Sequence, residues 1–415
     1  MLLTEHEALM RDGVRMTYDE KYDGLQLVQW SKPLDALPWG YYATYKVGAE
    51  WVDEKESLVV TTKKGLEHID FLRMFMTCFS SDLAVDAFSQ IYSIRFDQPT
   101  IVAPTLRSVL SPLIIVHFIG IVSRIKSLKK GYVHHEENLR KVKGRINTLK
   151  NERVNIVAKR YDKVYCEYDE YSTDIAENRL LKKALVFSKA LITRMGQGSM
   201  GYVQLQQQIA RLLTKFEGVG DEVNRKDVRK VCANKLFKEY GEAIRLAKMV
   251  LRYFDYSISR VGNCENNVPP FVLDMSLLYE HYVYGLLHEA YANKVTYQFS
   301  GSTGRPDFLY NDGHFKAILD TKYIPKYAST DIDIYVIRQL SGYSRDMPIL
   351  QSLGYDDLDE ETSIPIVPCI IIYPNESEKA ENPFLGKPLK NLCTTPVQRI
   401  SLFYKIAVAL PTHKA

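Results

Sequence analysis

A chain of 415 residues, 46% hydrophobic and 25% charged, has the composition of a folded soluble protein and exceeds one ordinary domain, so two or three are expected. Its net charge of +4 permits nucleic-acid binding only where the excess is concentrated on one surface. The six cysteines (Cys78, Cys166, Cys232, Cys264, Cys369, Cys393) are isolated, which excludes a CxxC zinc module and a disulfide framework and fits a reducing cytoplasm.

Met1-Leu2-Leu3 runs at once into Glu5, His6 and Glu7, so no signal peptide is expected. Residues 1–105 carry short β-type runs (Leu25–Trp30, Trp39–Val47, Ser57–Thr62), then helical stretches at Phe71–Phe79 and Asp82–Ile91, and read as a small β-rich domain. Pro104 to Lys130 reads as helix restarting at Ser111-Pro112, a cap and first-turn pair. Its apolar segment Pro112–Val122 contains His117 and is too short for a bilayer, so a buried helix and no membrane contact are expected. The charged stretch Glu136–Lys150 precedes an extended segment around Val154–Tyr168. Helices follow at Asn178–Met195, with Leu180, Leu181, Ala184, Leu185 and Phe187 near one face, at Tyr202–Phe216 and at Arg225–Phe254. Gly196 to Gly201 matches GxGxxG but follows a helix rather than a strand, which makes it an inter-helix loop rather than a dinucleotide cradle. The basic runs Arg124–Lys130, Arg140–Arg145 and Arg225–Lys235 are candidate phosphate contacts, although such runs are more often solvated helix faces. Gly262–Pro270 reads as a linker separating a helical middle region, 106–262, from a C-terminal domain, 271–415.

The chemistry concentrates in that last region, around GRPDFLYNDGHFKAILDTKY. Phe308-Leu309-Tyr310 and Ala317-Ile318-Leu319 are short strands joined by the hairpin signal Asn311-Asp312-Gly313. Asp307 starts the first strand and Asp320 ends the second, so a hairpin brings the carboxylates together, with Lys322 on the Asp320 face by the period-two rule. Such a set suits Mg²⁺, with Mn²⁺ as the alternative, held by Asp307, Asp320 and the Thr321 carbonyl. It resembles the PD-(D/E)XK nuclease motif, whose task is phosphodiester hydrolysis. An amphipathic helix over Leu277–Leu287 could aim Glu280 at the metal. A second helix, Asp333–Tyr343, carries Gln339 and Tyr343 one turn apart, a spacing similar to that of RecB-like nucleases. Ile366–Pro374 reads as a strand buried on both faces.

YVHHEENLRKVKGRIN at Tyr132–Asn147 and YCEYDEYSTDIAENRLLKKAL at Tyr165–Leu185, ahead of LLYEHYV and the hairpin motif, resemble the McrC family from about residue 105 to 375. That resemblance implies the nuclease subunit of a modified-cytosine-dependent restriction system, docking through an N-terminal β-rich and helical part onto a ring of McrB-type AAA+ GTPases. The chain has no GxxxxGK[ST] loop, so no nucleotide is expected on it alone and the partner would supply GTP hydrolysis. Asp169, Glu170, Asp174, Asn178 and Arg179 read as bracing at a helix start. Arg145 is the candidate for acting in trans on the partner's nucleotide.

The sequence therefore describes an α+β multidomain protein: a β-rich docking domain at 1–105, a helical middle, and a C-terminal α/β PD-(D/E)XK domain. The expected activity is metal-dependent cleavage of double-stranded, modified-cytosine DNA in the cytoplasm, with Asp307, Asp320, Lys322, Glu280 and Gln339 as site residues. Two rival readings are a non-catalytic adaptor that stimulates the GTPase ring and a stand-alone RecB-like repair nuclease.

Overall fold

The computed structural model describes every residue except 12, 33–37, 64, 65, 67, 79–89, 96, 196–199, 221, 224–237, 259–266, 356–364, 376–380, 399 and 413–415. It is a mixed α and β chain in two compact units, one formed by residues 1–113 with 262–415, the other by residues 114–261.

In the first unit, β1 (Leu2–Thr4), β2 (Met10–Arg11), β3 (Val14–Arg15), β4 (Val28–Ser31), β5 (Gly40–Ala43), β6 (Lys46–Trp51) and β7 (Ser57–Thr61) precede α1 (Phe71–Cys78), β8 (Tyr92–Ile94) and β9 (Ile101–Val102). The β-branched and aromatic runs separated by Gly and Asp turns account for these strands. Next comes α2 (Pro104–Arg124). It does not restart at Ser111-Pro112 but runs straight through Pro112. Proline removes one helical hydrogen bond, and burial of Leu110, Leu113, Ile114 and Phe118 on successive turns offsets that loss. At 21 residues α2 is long and apolar enough to cross a bilayer, yet 88% of its apolar window is buried inside the protein.

The second unit holds β10 (Gly131–Leu139), β11 (Arg145–Ile146), the one-turn α3 (Thr148–Asn151) and β12 (Val164–Ser172), followed by α4 (Ala176–Met195), α5 (Met200–Lys215) and α6 (Lys238–Ile258). β10, β12 and β11 form a three-stranded sheet in that order, and α4 packs on α5 and α6. The region expected to be helical thus contains a sheet. Its strands are polar on their open face, where His134 pairs with Asp169 across the ladder, and so they lack an apolar alternation. The extended segment expected from Val154 begins only at Val164, because Glu152–Ile156 forms a π-helical turn. The GxGxxG loop at 196–199, Cys232, Cys264, the basic run from Arg225 and most of the Asp82–Ile91 helix lie outside the described residues.

Back in the first unit, β13 (Asn267–Val268) pairs with β9, and β14 (Phe271–Asp274) leads directly into α7 (Met275–Tyr291). Then come β15 (Val295–Tyr297), β16 (Phe308–Asn311), β17 (Lys316–Thr321), α8 (Ile334–Tyr343), α9 (Met347–Ser352), β18 (Cys369–Asn375), α10 (Leu389–Leu392) and β19 (Phe403–Ala409). They build a five-stranded sheet of order β15-β16-β17-β18-β19, antiparallel up to β17 and parallel beyond it. One face packs on α7, where Phe308 stacks on Tyr284 with ring centroids 5.9 Å apart. The other face, with Leu309, Ile318 and Ile371, packs on Val336 and Leu340 of α8 and on Ile349 of α9. Burial on both sides explains the unbroken apolar run of β18.

The boundary at 262–270 differs from the expected domain division. β14 does not open a separate domain; it is the fourth strand of the N-terminal sheet, β1-β7-β6-β14-β8, hydrogen-bonded between β6 and β8. Gly48 of β6 makes this approach possible. At φ +155 it faces Phe271, and a Cβ there would lie 2.0 Å from the Phe271 carbonyl oxygen. Gly48→Ala is therefore expected to destabilise the chain by about 3 kcal/mol in urea denaturation. A loss under about 1 kcal/mol would contradict the β6–β14 pairing.

Candidate functional site

The site lies at the end of the β16–β17 hairpin. In its turn, Asp312 Oδ1 accepts from His314 N (3.0 Å) and Phe315 N (2.7 Å), and Gly313 takes the left-handed conformation, φ +87. The register pairs Phe308 with Leu319, so Asp307 and Asp320 fall opposite each other one step beyond. Asp307 Oδ2 accepts from Thr321 N (2.6 Å) and Thr321 Oγ1 (2.5 Å). Thr321, expected to offer its carbonyl, thus serves Asp307 with its N–H and hydroxyl. Asp320 is 2% exposed, and Lys322 Nζ lies 2.5 Å from its Oδ2. Lys322 N donates to Ile372 O (2.8 Å), fastening the strand end to β18.

Glu280 comes from α7, and its Oε1 accepts from Gln298 Nε2 (2.6 Å). Gln298 N in turn donates to Asp307 O (2.8 Å), and Arg305 Nε donates to Gln298 O (3.2 Å). Gln298 and its role are absent from the motif reading. Its only sequence signal is a position just before the Ser-Gly-Ser-Thr-Gly stretch at 300–304. From α8, Tyr343 is buried, and a Cβ on Gly304 would lie 2.8 Å from its ring. Gln339 is exposed, and its Nε2 donates to Tyr343 Oη (2.7 Å). Among the described residues it makes no hydrogen bond to Asp307 or Lys322, so it meets the site only through that ring.

Burial is the main force on the carboxyl groups. It pushes Asp307 well above the usual range, and the charges of Asp320 and Glu280 push it further, while the Thr321 donors act against them. Burial raises Glu280 as well, with Gln298 opposing. Asp320 is raised by burial against the pull of Lys322. Burial alone would lower Lys322, but Asp320 more than offsets it and the ammonium stays charged. The three carboxyls form a tightly coupled group that resists carrying its full negative charge.

Such hard oxygen donors in mutual repulsion fit a divalent cation, which would neutralise them. Among the described residues no three His, Cys, Asp or Glu side chains converge as a closed ligand cage. The fit is therefore that of an open site on two carboxylates, Asp307 and Asp320, with Glu280 further out.

Arg145 lies elsewhere, exposed on β11 opposite Glu167. Gly144 before it has φ +71, and a Cβ there would sit 2.5 Å from Glu167 O, which accounts for the Lys-Gly-Arg sequence. Glu170 pairs with Lys143 (3.2 Å), Asp174 holds Arg179 by two hydrogen bonds (2.7 and 2.6 Å), and Asn178 Nδ2 donates to Thr173 O (2.6 Å). Asp174, Asn178 and Arg179 brace the start of α4 as expected, whereas Asp169 and Glu170 make their ion pairs in the three-stranded sheet, with His134 and Lys143.

A protein with this α+β layout and a carboxylate–lysine site finds its relatives among restriction systems. Residues 90–344 match the family described as the McrBC 5-methylcytosine restriction system component, and the chain belongs to that family. No curated protein matches the sequence. Two solved structures are distantly similar. One is the Thermococcus gammatolerans half-complex of McrB AAA+ hexamers with bound McrC, with TM-score 0.38, 15% identity and 99% of this chain and 94% of that chain covered. The other is the cryo-EM McrBC complex of the same organism, with TM-score 0.32, 15% identity and 69% and 86% covered.

The raised carboxyls set the pH dependence of stability. Because the fold holds their protons to higher pH than the unfolded chain does, their stabilising contribution is complete in acid and is lost as pH rises through the folded values. Asparagine at 307 still accepts from Thr321 and does not ionise. Without divalent cation, Asp307→Asn is expected to melt with the unmodified chain near pH 4 (about the unfolded Asp pKa) and above it at neutral and alkaline pH, with the gap widening as pH rises. A flat or reversed difference in thermal melts would refute the coupled-carboxyl description.

Proposed function

We propose that the chain is the Mg²⁺-dependent endonuclease subunit of a GTP-driven, modified-cytosine-dependent restriction complex, and that it acts on double-stranded DNA in company with an McrB-type AAA+ GTPase ring. The observation that carries this reading is the juxtaposition of Asp307, Asp320 and Lys322 at one end of a paired hairpin. A helix, an antiparallel hairpin, a second helix and a parallel buried strand surround it, the order of a PD-(D/E)XK core. Membership of the McrBC component family supports the restriction setting.

Asp307 and Asp320 would hold Mg²⁺ (or Mn²⁺), with Glu280 reaching it through water. When bound, the cation supplies Lewis acidity at the scissile phosphate. Lys322, kept charged by Asp320, orients the attacking water and stabilises the negative charge that grows on the phosphate oxygens. Thr321 holds the Asp307 carboxylate in one orientation through its N–H and hydroxyl. Gln339, exposed beside the buried Tyr343, would steady that ring at the rim of the site.

The partner would supply the nucleotide chemistry, since the sequence has no P-loop. Residues 1–105 fit the role of docking module less well than the second unit does, because their sheet is completed by β14. The second unit exposes Tyr132, Leu149, Val157, Tyr161 and Tyr171, bare apolar side chains suited to a protein partner. Arg145 lies on the same sheet and would act on the partner's nucleotide.

The test combines the purified chain with its GTPase partner on modified and unmodified DNA, with and without GTP. Asp320→Ala and Lys322→Ala are each expected to abolish cleavage while GTPase stimulation persists. Arg145→Ala should lower stimulation about ten-fold or more with the nuclease centre intact. Cutting by either nuclease variant overturns the site, and GTP-independent cutting by the isolated chain would restore the stand-alone repair reading.

A further inference from the structure

We infer that Gln298 is a positioning residue for the carboxylate site, a strained clasp that ties the Glu280 helix to the Asp307 strand; this rests on the metal-site reading above. Four observations converge on it. Its side-chain Nε2 donates to Glu280 Oε1 at 2.6 Å, and its backbone N donates to Asp307 O at 2.8 Å. Its own carbonyl accepts from Arg305 Nε at 3.2 Å, which holds the loop leading into Asp307. Its backbone sits at φ +49, in the left-handed region that residues with long side chains rarely occupy.

The strain and the contacts explain each other. Gln298 directly follows β15, and an extended residue there would continue the alternation of faces along the strand. The left-handed backbone breaks that alternation at the edge of the sheet. Its N–H still reaches the β16 strand at Asp307, while the amide is free to reach across to α7. A conformation this unfavourable persists only where surrounding contacts over-determine it, and here both contacts end on carboxyl-bearing residues of the site. Glu280 is on α7 and Asp307 immediately precedes β16, so no regular hydrogen-bond ladder sets the spacing of their side chains. Gln298 is the residue that bonds both. Outer partners that orient carboxylate ligands are worth about 10- to 100-fold in metal affinity when lost.

The experiment uses the full chain with Mn²⁺ as probe, titrated by calorimetry, together with melting in metal-free buffer and cleavage in the reconstituted complex. Gln298→Gly accepts the left-handed backbone and removes the amide. Gln298→Asn also tolerates that backbone, but its amide is one methylene too short to reach Glu280. Both variants are expected to melt at or above the unmodified temperature. Both should bind Mn²⁺ about 10- to 100-fold more weakly and show a reduced kcat with unchanged KM for DNA. A purely structural glutamine would lower the melting temperature and leave metal affinity alone, which overturns the inference. So does Mn²⁺ binding retained in full by Gln298→Gly. Absence of Mn²⁺ binding in the unmodified chain removes the metal reading and this inference with it, so the two failures are told apart.

Discussion

The pairing of Phe271–Asp274 between β6 and β8 is the constraint on which the carboxylate site depends. Asp274 ends that strand and caps α7, its carboxylate accepting from Leu277 N at 3.0 Å, while Met275 N donates to Tyr45 O at 3.0 Å. The N-terminal sheet thus aims the helix that carries Glu280. The same sheet reaches the end of β17 from the segment after β7. Lys63 Nζ donates to Tyr323 O at 2.7 Å and sits 4.1 Å from the centre of the Tyr323 ring, one residue past Lys322. Glu5 Oε2 accepts from Lys63 N at 3.1 Å. Burial draws this pair toward neutrality, lifting Glu5 to about 7 and lowering Lys63 to about 8, each opposed by the charge of the other. A detachable docking domain would have no reason to bury such groups against the strand that bears Lys322.

The carboxylate site works against the stability of the fold that holds it. Asp307, Asp320 and Glu280 are kept close in a place with little water, and each raises the cost of ionising Asp307. Good packing on both faces of the sheet, from α7 on one side and from α8 and α9 on the other, makes that arrangement affordable. Lys322 is the compensating charge on the protein side, and the remaining imbalance is what a divalent cation would answer.

The hairpin, its two aspartates and Lys322 were legible in the sequence because a two-residue period and an Asn-Asp-Gly turn are local rules. The same holds for α7, α8 and β18, whose apolar runs have the right length and period. Non-local partnership was hidden. Nothing in Phe271-Val272-Leu273-Asp274 says that its neighbours are β6 and β8, far back in the chain. β10 was missed because its open face is charged, β12 was expected too early, from Val154 rather than Val164, and β19 was missed because only its parallel pairing with β18 identifies it as part of the sheet. Gln298 was invisible for another reason: its role comes from a left-handed backbone, and glutamine carries no signal for one.

The placement of β14 also governs how the chain comes into being. β6 and β8 leave the ribosome early, but the strand that belongs between them is made only after the whole of the second unit. Until residue 274 emerges, β6 has an open edge of unpaired backbone groups, the kind of edge that invites pairing with another chain. The second unit, whose residues are continuous from 114 to 261, has no such wait. Synthesis therefore passes through a stage in which the inserted unit can fold while the unit around it cannot, and the strand carrying Asp320 is still unmade. The carboxylate site is thus assembled last, after the whole of the second unit has been made.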